Sequence, residues 1–164
     1  MSTTDQILAA NAAYVATFTH GGLALPPRRK FAVVTCMDAR LDPAKALGLA
    51  EGDAHVIRNA GGRARDALRS LVISQQLLGT EEVFVIHHTD CGMLTFADAE
   101  LHALLRERFG GEDVPDVDFL PFSDLEASVR EDVAYVRAAK VVRAGVPVSG
   151  WIYEVETGRL RRVE

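Results

Sequence analysis

Short apolar runs of strand length alternate with helix-like segments along this chain, and that alternation restricts the fold more than any other feature. The sequence predicts strands at 30–35, 54–58, 82–87 and 148–155, with helices between the first three at 43–49 and 65–78. This order favours a parallel sheet with right-handed crossovers. A turn at Thr157-Gly158 leads into 159–163, an antiparallel C-terminal edge strand. We therefore predict an α/β fold: a mostly parallel four-stranded sheet with helices on both faces and that edge strand.

The N-terminal segment 2–18 is predicted to be an amphipathic helix with Thr3 or Thr4 as its N-cap. Its apolar residues recur at close to helical spacing: Ile7, Leu8, Ala12, Val15 and Phe18. Such a stripe packs either on the chain's own sheet or on a neighbouring subunit. The sequence leaves both partners open.

Two further helices are predicted at 97–109 and 123–142. The second begins with a capping-box pattern formed by Ser123 and Glu126. Between them, the segment 112–121 holds two prolines and four acidic residues, so we interpret it as a solvated loop.

Composition excludes several classes of function. A chain of 164 residues with 48% hydrophobic content suits one compact domain over 1–164, with the N-terminal helix as an arm. Its net charge of -5 offers no general footprint for nucleic acid or an anionic membrane. No apolar run approaches the roughly 20 residues that a membrane span needs, and Met1–Asp5 lacks the basic and apolar regions of a signal peptide. We expect a cytoplasmic protein.

Two polar motifs directly follow two of the predicted strands. Cys36-Met37-Asp38-Ala39-Arg40 follows the apolar run 31–34, and His87-His88-Thr89-Asp90-Cys91-Gly92 follows 83–86. Open α/β sheets bind ligands at the carboxyl ends of strands, so both cysteines and one histidine should meet there. Two thiolates and an imidazole form a three-ligand zinc set that leaves a fourth position for water or substrate. The alternatives are one disulfide, which a reducing compartment disfavours, and two buried apolar thiols.

His87 and His88 compete for the ligand role. Successive side chains on a strand point to opposite faces, so only one of them can share a face with Cys91. We assign His88, because the loop 88–91 can fold both groups onto one ion, and we interpret His87 as a histidine packed under a helix. The expected zinc ligands are therefore Cys36, His88 and Cys91.

Asp38 and Arg40 stand two residues apart, so both point the same way from an extended strand end and can form an ion pair. That pair either positions the loop or takes part in catalysis. In a catalytic role, Asp38 accepts a hydrogen bond from zinc-bound water, or takes the fourth zinc position itself when Arg40 releases it. A site closed in this way is inactive. We also expect Thr89 and Asp90 to support the ligand loop.

The stretch Asn59-Ala60-Gly61-Gly62 follows the second predicted strand and forms a loop whose backbone can approach a ligand. Its amide N–H groups are expected to face the metal site, and we assign Ala60 and Gly61 to the substrate pocket. Three arginines beyond the loop are interpreted as surface residues, solvated or at an interface: Arg63, Arg65 and Arg69.

Zinc lowers the pKa of a bound water from about 15.7 towards about 7 in the best-known sites. Two thiolate ligands donate more charge than histidines do, which leaves the water less acidic than at a three-histidine site. Activity at such a centre is therefore expected to rise with pH.

Three motifs together resemble those of the β-class carbonic anhydrases, in the same order and at similar separations. They are Cys36-x-Asp38-x-Arg40, Arg58-Asn59-Ala60-Gly61 and His88-x-x-Cys91-Gly92. The likeness covers roughly residues 31–96, and the short chain with its run 87–96 is most similar to the compact actinobacterial-type branch. The resemblance implies zinc held by the two cysteines and His88, the Asp38 and Arg40 dyad beside the metal, and reversible hydration of carbon dioxide to bicarbonate.

The resemblance also implies a homodimer, or two such dimers paired into a tetramer, with the N-terminal helix reaching across to its partner. The same branch includes enzymes resembling hydrolases of carbonyl sulfide and carbon disulfide, which use the same zinc set on a linear triatomic molecule. These hydrolases, and a non-catalytic zinc-binding or assembly module, are alternatives that the motifs do not separate from carbon dioxide hydration.

Overall fold

Five strands form one central sheet in the residues that the computed structural model describes, 1–110 and 117–164. They are Phe31–Cys36 (β1), His55–Asn59 (β2), Glu82–His88 (β3), Val148–Tyr153 (β4) and Leu160–Arg162 (β5). The strand order is β2-β1-β3-β4-β5, in which the first four strands run parallel and β5 pairs antiparallel with β4. The predicted parallel four-stranded sheet with an antiparallel edge strand is confirmed.

Helices lie around the sheet at the places where the sequence predicts them. They are Thr3–Val15 (α1), Pro43–Leu47 (α2), Ala64–Gln76 (α3), Asp98–Phe109 (α4) and Leu125–Ala138 (α5). Of the predicted loop 112–121, residues 112–116 lie outside the described part of the chain. Within the described ranges, no helix has both the length and the apolar character that crossing a membrane requires.

The ends of two helices differ from the sequence prediction. Ser2, rather than either threonine after it, caps α1: its Oγ accepts the N–H of Asp5, whose carboxylate accepts the N–H of Ser2. Asp124, rather than the serine before it, caps α5, because its carboxylate accepts the N–H of Ala127 at 2.9 Å. α5 also ends at Ala138 instead of 142, since the next residue is extended, with ψ of 112°.

Helices α3 and α5 pack on one face of the sheet and enclose the larger apolar cluster. Its buried members are Ala32, Val34, Ala64, Ala67, Leu71, Val83, Val85, Val133, Val136, Val142 and Val148. Gly150 of β4 allows α5 to approach closely, because a Cβ there would lie 2.5 Å from Val129 Cγ1 and 3.0 Å from Val133 Cγ2. α2 lies on the other face, where Leu47 lines a small cavity together with Thr35 of β1.

The register of the strands brings the predicted motifs to one edge of the sheet. Thr35 of β1 pairs with Ile86 of β3, and Cys36 pairs with Asn59 of β2. All three strands run parallel, so their carboxyl ends lie side by side. The two polar motifs and the glycine-containing loop after β2 therefore meet at the same place.

Helix α1 buries none of its residues. Its apolar side chains are open to solvent, with Ile7 and Leu8 each 63% exposed and Val15 62% exposed. A hydrogen bond joins it to the rest of the chain, from the Tyr14 hydroxyl to Glu51 Oε1 at 2.6 Å. Of the two packing partners that the sequence leaves open, α1 does not use its own sheet.

We predict that Gly150→Ala lowers the free energy of unfolding by about 1–3 kcal/mol, because the added methyl group overpacks the contact between β4 and α5. Urea denaturation followed by circular dichroism measures this loss. Gly22→Ala is the matched control, since a Cβ at Gly22 meets nothing within 4 Å. Equal stability of the two variants would contradict the close approach of α5.

Candidate metal centre

Three side chains at this edge of the sheet bring their donor atoms together. The sulfurs of Cys36 and Cys91 and a ring nitrogen of His88 all lie within 4.8 Å of one another. Cys36 ends β1, His88 ends β3, and Cys91 follows a turn in which Asp90 has a positive φ of 54°. All three donor residues are buried, and both cysteines are free thiols. The structure thus places these residues to bind one metal ion.

The ring of His88 has the orientation and the tautomer of a ligand. Its Nδ1 lies 2.8 Å from the carbonyl oxygen of Thr89, so Nδ1 carries a proton and donates it. Its Nε2 is buried and has no hydrogen-bond partner among the described residues. A buried polar atom without a partner is costly, and a neutral imidazole nitrogen is a common zinc ligand. A zinc ion therefore fits this donor set.

The two cysteine thiols affect each other's ionisation. The Cys91 thiol donates a hydrogen bond that lowers the pKa of Cys36 to about 4, and the backbone N–H groups of Asp38 and Gly61 act in the same direction against burial. The same hydrogen bond, together with burial, raises the pKa of Cys91. One proton is thus shared by two sulfurs, and a divalent cation in its place allows both to be thiolates.

Arg40 holds Asp38 beside the donor set. Asp38 Oδ1 accepts the backbone N–H and Nε–H of Arg40 at 2.8 and 3.0 Å, and Oδ2 accepts Nη2–H at 2.8 Å. Arg40 also donates to the Asp90 carboxylate and carbonyl oxygens at 2.7 and 2.9 Å, so Asp90 supports the loop as expected. Asp38 Oδ2 lies 3.8 Å from His88 Nε2. The hydrogen bonds from Arg40 hold the pKa of Asp38 well below its ordinary value, so this carboxyl group is ionised near neutral pH.

Arg58 supports the centre in a way that the sequence does not reveal. Its Nε donates to the carbonyl oxygen of Cys36 at 2.9 Å, and its Nη2 donates to the carbonyl oxygen of Asp38 at 2.7 Å. The Arg58 guanidinium therefore fixes the backbone that carries the side chains of Cys36 and Asp38. The motif that begins at Arg58 marks the residue as one of interest, but only the pairing of β1 with β2 shows which carbonyl groups it reaches.

The glycine turn after β2 lies against the metal centre. Gly61 has a φ of 77°, and its backbone N–H lowers the pKa of the Cys36 thiol. Gly62 has a φ of 69°, and a Cβ there would lie 2.9 Å from the carbonyl carbon of Thr35, which leaves no room for a side chain. The predicted approach of this backbone to the site is therefore observed. Apolar side chains enclose the centre: Leu41, Ala60, Met93, Leu94, Phe96, Phe122, Tyr153 and Val155.

Comparisons with known proteins place the chain in a family. A family model described as carbonic anhydrase matches residues 31–109. β-Carbonic anhydrase 1 of Mycobacterium tuberculosis is 42% identical over 164 residues, which cover 99% of each chain. The chain belongs to the β-carbonic anhydrase family.

A second relative and a solved structure extend that result. A carbon disulfide hydrolase of Acidithiobacillus thiooxidans is 34% identical over 160 residues, covering 85% of this chain and 79% of the hydrolase. The solved structure of a carbonic anhydrase from Glaciozyma antarctica matches with a TM-score of 0.92 at 53% identity, covering 100% of both chains. This β-carbonic anhydrase family member therefore resembles both anhydrases and a hydrolase of a sulfur-containing substrate.

The structure confirms the sequence prediction for His87 and contradicts the one for Arg63. His87 lies on the opposite sheet face from the metal ligands, packed under α5, as predicted. The surface assignment of Arg63 is wrong, because its side chain is buried and its Nη2 lies 3.4 Å from Asp132 Oδ1. Arg65 and Arg69 are exposed as expected. Nothing local distinguishes Arg63 from them, since its burial results from α5 covering the start of α3.

We predict that Cys36→Ser and His88→Ala each weaken zinc binding by more than about 100-fold, because losing a direct ligand costs more than losing an outer partner of one. Zinc content after gel filtration and chelator competition measures the effect. His55→Ala is the control, since His55 is the first residue of β2, at the opposite end of that strand from the metal centre, and hydrogen-bonds to Ser74. Full zinc retention by the His88→Ala protein would remove that residue from the ligand set.

Proposed function

We propose that this β-carbonic anhydrase family member catalyses the reversible hydration of carbon dioxide to bicarbonate and a proton at a zinc ion held by Cys36, His88 and Cys91. The observation that carries the proposal is a Cys2His donor set within 4.8 Å beside an Asp38 carboxylate that Arg40 holds in place. Three protein ligands leave a fourth position for water or substrate. When bound there, zinc supplies a Lewis acid that lowers the pKa of water towards neutrality.

Asp38 orients the nucleophilic water in this proposal. Its carboxylate is ionised and lies 3.8 Å from Nε2 of His88, so it would be beside a water held at the fourth position of the metal. Arg40 occupies both carboxylate oxygens, so it opposes direct ligation of the metal by Asp38. The proposed role of the dyad is therefore to keep the fourth position open and to direct a lone pair of the water at the substrate carbon.

Carbon dioxide has no net dipole, so an apolar pocket beside the metal suits it. We place Ala60 and Gly61 in this pocket, because the glycine turn borders the metal centre and Ala60 belongs to the apolar cluster around it. Met93 and Phe122 close off Gly61 on the far side, with their atoms 2.9 and 3.2 Å from where its Cβ would be. This packing leaves no room for a side chain at position 61.

Carbon disulfide or carbonyl sulfide hydrolysis is the second candidate function. The observation that favours it is the 34% identity to a carbon disulfide hydrolase over most of this chain. Both molecules are linear and apolar, and attack by water on their central carbon requires the same zinc set and the same carboxylate. The two functions share attack by water on the central carbon, and hydrolysis then also breaks a carbon–sulfur bond and releases hydrogen sulfide.

Stopped-flow hydration of carbon dioxide between about pH 6.5 and 9, with zinc content measured on the same sample, tests the proposal. We expect activity that rises with pH, because a higher pH favours the deprotonated form of a water whose pKa zinc has lowered towards neutrality. Parallel assays with carbonyl sulfide and carbon disulfide separate the candidates. Zinc-loaded protein that hydrates no carbon dioxide at any pH but releases sulfide would establish the second function.

We predict that Asp38→Asn and Arg40→Gln lower kcat/KM for carbon dioxide by about 100-fold or more while zinc stays bound, because general-base and positioning groups contribute on that scale. Arg130→Gln serves as the control, since Arg130 pairs with Glu126 on α5, away from the centre. Normal turnover in either dyad variant with zinc bound would exclude a catalytic role for the dyad.

We also propose that 1–164 is a single domain with α1 as an arm, and that two copies form a homodimer, either alone or paired into a tetramer. The support is the apolar face of α1, which this chain leaves exposed although an amphipathic helix needs a partner for that face. We assign the protein to the cytoplasm, where reducing conditions keep Cys36 and Cys91 available for zinc.

We predict that the double variant Ile7→Ser and Leu8→Ser shifts the protein towards monomer, because it removes two exposed apolar side chains from the proposed contact. Sedimentation velocity at several protein concentrations measures the change. Asn11→Ser is the control on the same helix. A wild-type chain that sediments as a monomer at every concentration would rule out the homodimer.

A further inference from the structure

A buried polar network lies behind the metal centre, on the sheet face that α5 covers. Its members come from three elements: Arg63 precedes α3, His87 lies in β3, and Ser128 and Asp132 lie one turn apart in α5. All four are at most 7% exposed. Buried polar groups destabilise a fold unless they are paired, so the pairing within this network determines what it does.

The Asp132 carboxylate joins the three elements. Its Oδ2 accepts the backbone N–H of Ala64 at 3.0 Å, at the first residue of α3. The same oxygen lies 3.2 Å from His87 Nε2. Its Oδ1 lies 3.4 Å from Arg63 Nη2, so the positive charge of the buried guanidinium is paired with the negative charge of the carboxylate. A single side chain of α5 therefore holds both the end of β3 and the start of α3.

Neighbouring side chains hold the ring of His87 at both nitrogens and on one face. Its second nitrogen, Nδ1, lies 2.8 Å from Ser128 Oγ. Phe122 stacks on the ring with centroids 5.4 Å apart, and the guanidinium of Arg63 lies over the same Phe122 ring at 5.5 Å. Serine, histidine and aspartate also form hydrolytic triads, but Ser128 is only 1% exposed and cannot meet a substrate. The side chains of Ser128, His87 and Asp132 therefore hold the backbone in position and do not form a hydrolytic triad.

We propose that Asp132 is a positioning residue for the metal centre, acting on two of its parts at once. Through His87 it fixes the last peptide of β3, and so the direction from which His88 reaches the metal. Through Ala64 and Arg63 it fixes the exit of the glycine turn, and so the position of Gly62, which packs against the backbone of Thr35 and Cys36. The inference rests on the proposed zinc function of the site.

The two connections from Asp132 to the metal centre, one through His87 and one through Ala64, are short and rigid. His87 and His88 are neighbours in a strand that pairs with β1 on one side and β4 on the other, so a shift of one backbone moves the other. Gly61 is separated from Ala64 by two residues, and Gly62 has no free space against β1. A displacement of the Asp132 carboxylate therefore reaches both a ligand nitrogen and the backbone that carries a ligand sulfur.

The test compares wild type with Asp132→Ala and Asp132→Asn. Zinc affinity is measured by competition with a chromophoric chelator, and the ligand geometry by the visible absorption of the cobalt-substituted forms. We expect Asp132→Ala to bind zinc about tenfold more weakly, on the scale of outer partners of metal ligands, and to show an altered cobalt spectrum. Asp132→Asn keeps an oxygen that can accept hydrogen bonds from Ala64 and His87, so its zinc affinity should lie between those of wild type and Asp132→Ala.

Two further variants keep the test decisive. Ser128→Ala removes the hydrogen bond to His87 and one to the Leu125 carbonyl oxygen within α5, and leaves Asp132 in place. It should shift the cobalt spectrum in the same direction as Asp132→Ala but by less, and it remains informative if Asp132→Ala does not fold. Glu131→Gln is the matched control, because Glu131 is next to Asp132 and 3.9 Å from Arg63 but its side chain is 70% exposed. It should behave as wild type.

A purely structural role predicts a different pattern: lower unfolding temperatures with zinc affinity and cobalt spectra unchanged in both the Asp132 and Ser128 variants. That result overturns the inference. Neither readout requires carbon dioxide turnover, so the inference and the proposed function can fail separately. Weaker zinc binding in Asp132→Ala, beside a wild-type protein that hydrates no carbon dioxide, would support the first and reject the second.

Discussion

Parallel pairing of β1 with β3 is the constraint on which the metal centre depends. Cys36 and His88 are far apart in the chain, and each is the last residue of its strand. Because parallel strands in register end at the same edge of the sheet, their side chains emerge together. The sheet therefore supplies two of the three donors from rigid elements, and only Cys91 depends on a turn. A site built mainly on strands keeps its geometry when the surrounding loops move.

Arginines set the electrostatics of this centre from two directions. Arg40 binds the Asp38 side chain, while Arg58 binds the carbonyl groups of Cys36 and Asp38 behind it. Two thiolates and a carboxylate concentrate negative charge in a small buried volume, and bringing such charges together is unfavourable without compensation. The positive charge of the two guanidinium groups and of the metal together offsets that cost, so neither the metal nor the arginines alone account for the site.

Local chemistry predicted the ligand set, and long-range contacts account for what sequence reasoning missed. The strand ends located both cysteines and the histidine pair. The alternation of side chains along β3 allowed only one of the two histidines as a ligand, and the short loop to Cys91 favoured His88. The sequence does not separate Ser2 from the two threonines after it as the cap of α1, because neighbouring hydroxyl residues have similar capping preferences. It also does not reveal the burial of Arg63 or the position of Asp132, because their environment comes from a contact across 68 residues between α3 and α5. No periodicity or motif in a single sequence encodes such a contact.

Helix α1 has a thermodynamic consequence beyond its place in the fold. A helix that buries none of its own residues gains little free energy from the core of its own chain, and isolated helices of this length are marginal in water. Whatever covers its apolar face must supply the missing stabilisation. If the cover is another molecule, order in this segment follows mass action. The segment then reports the concentration of its partner, gaining order as that concentration rises and fraying as it falls, while the sheet and its metal ligands stay folded.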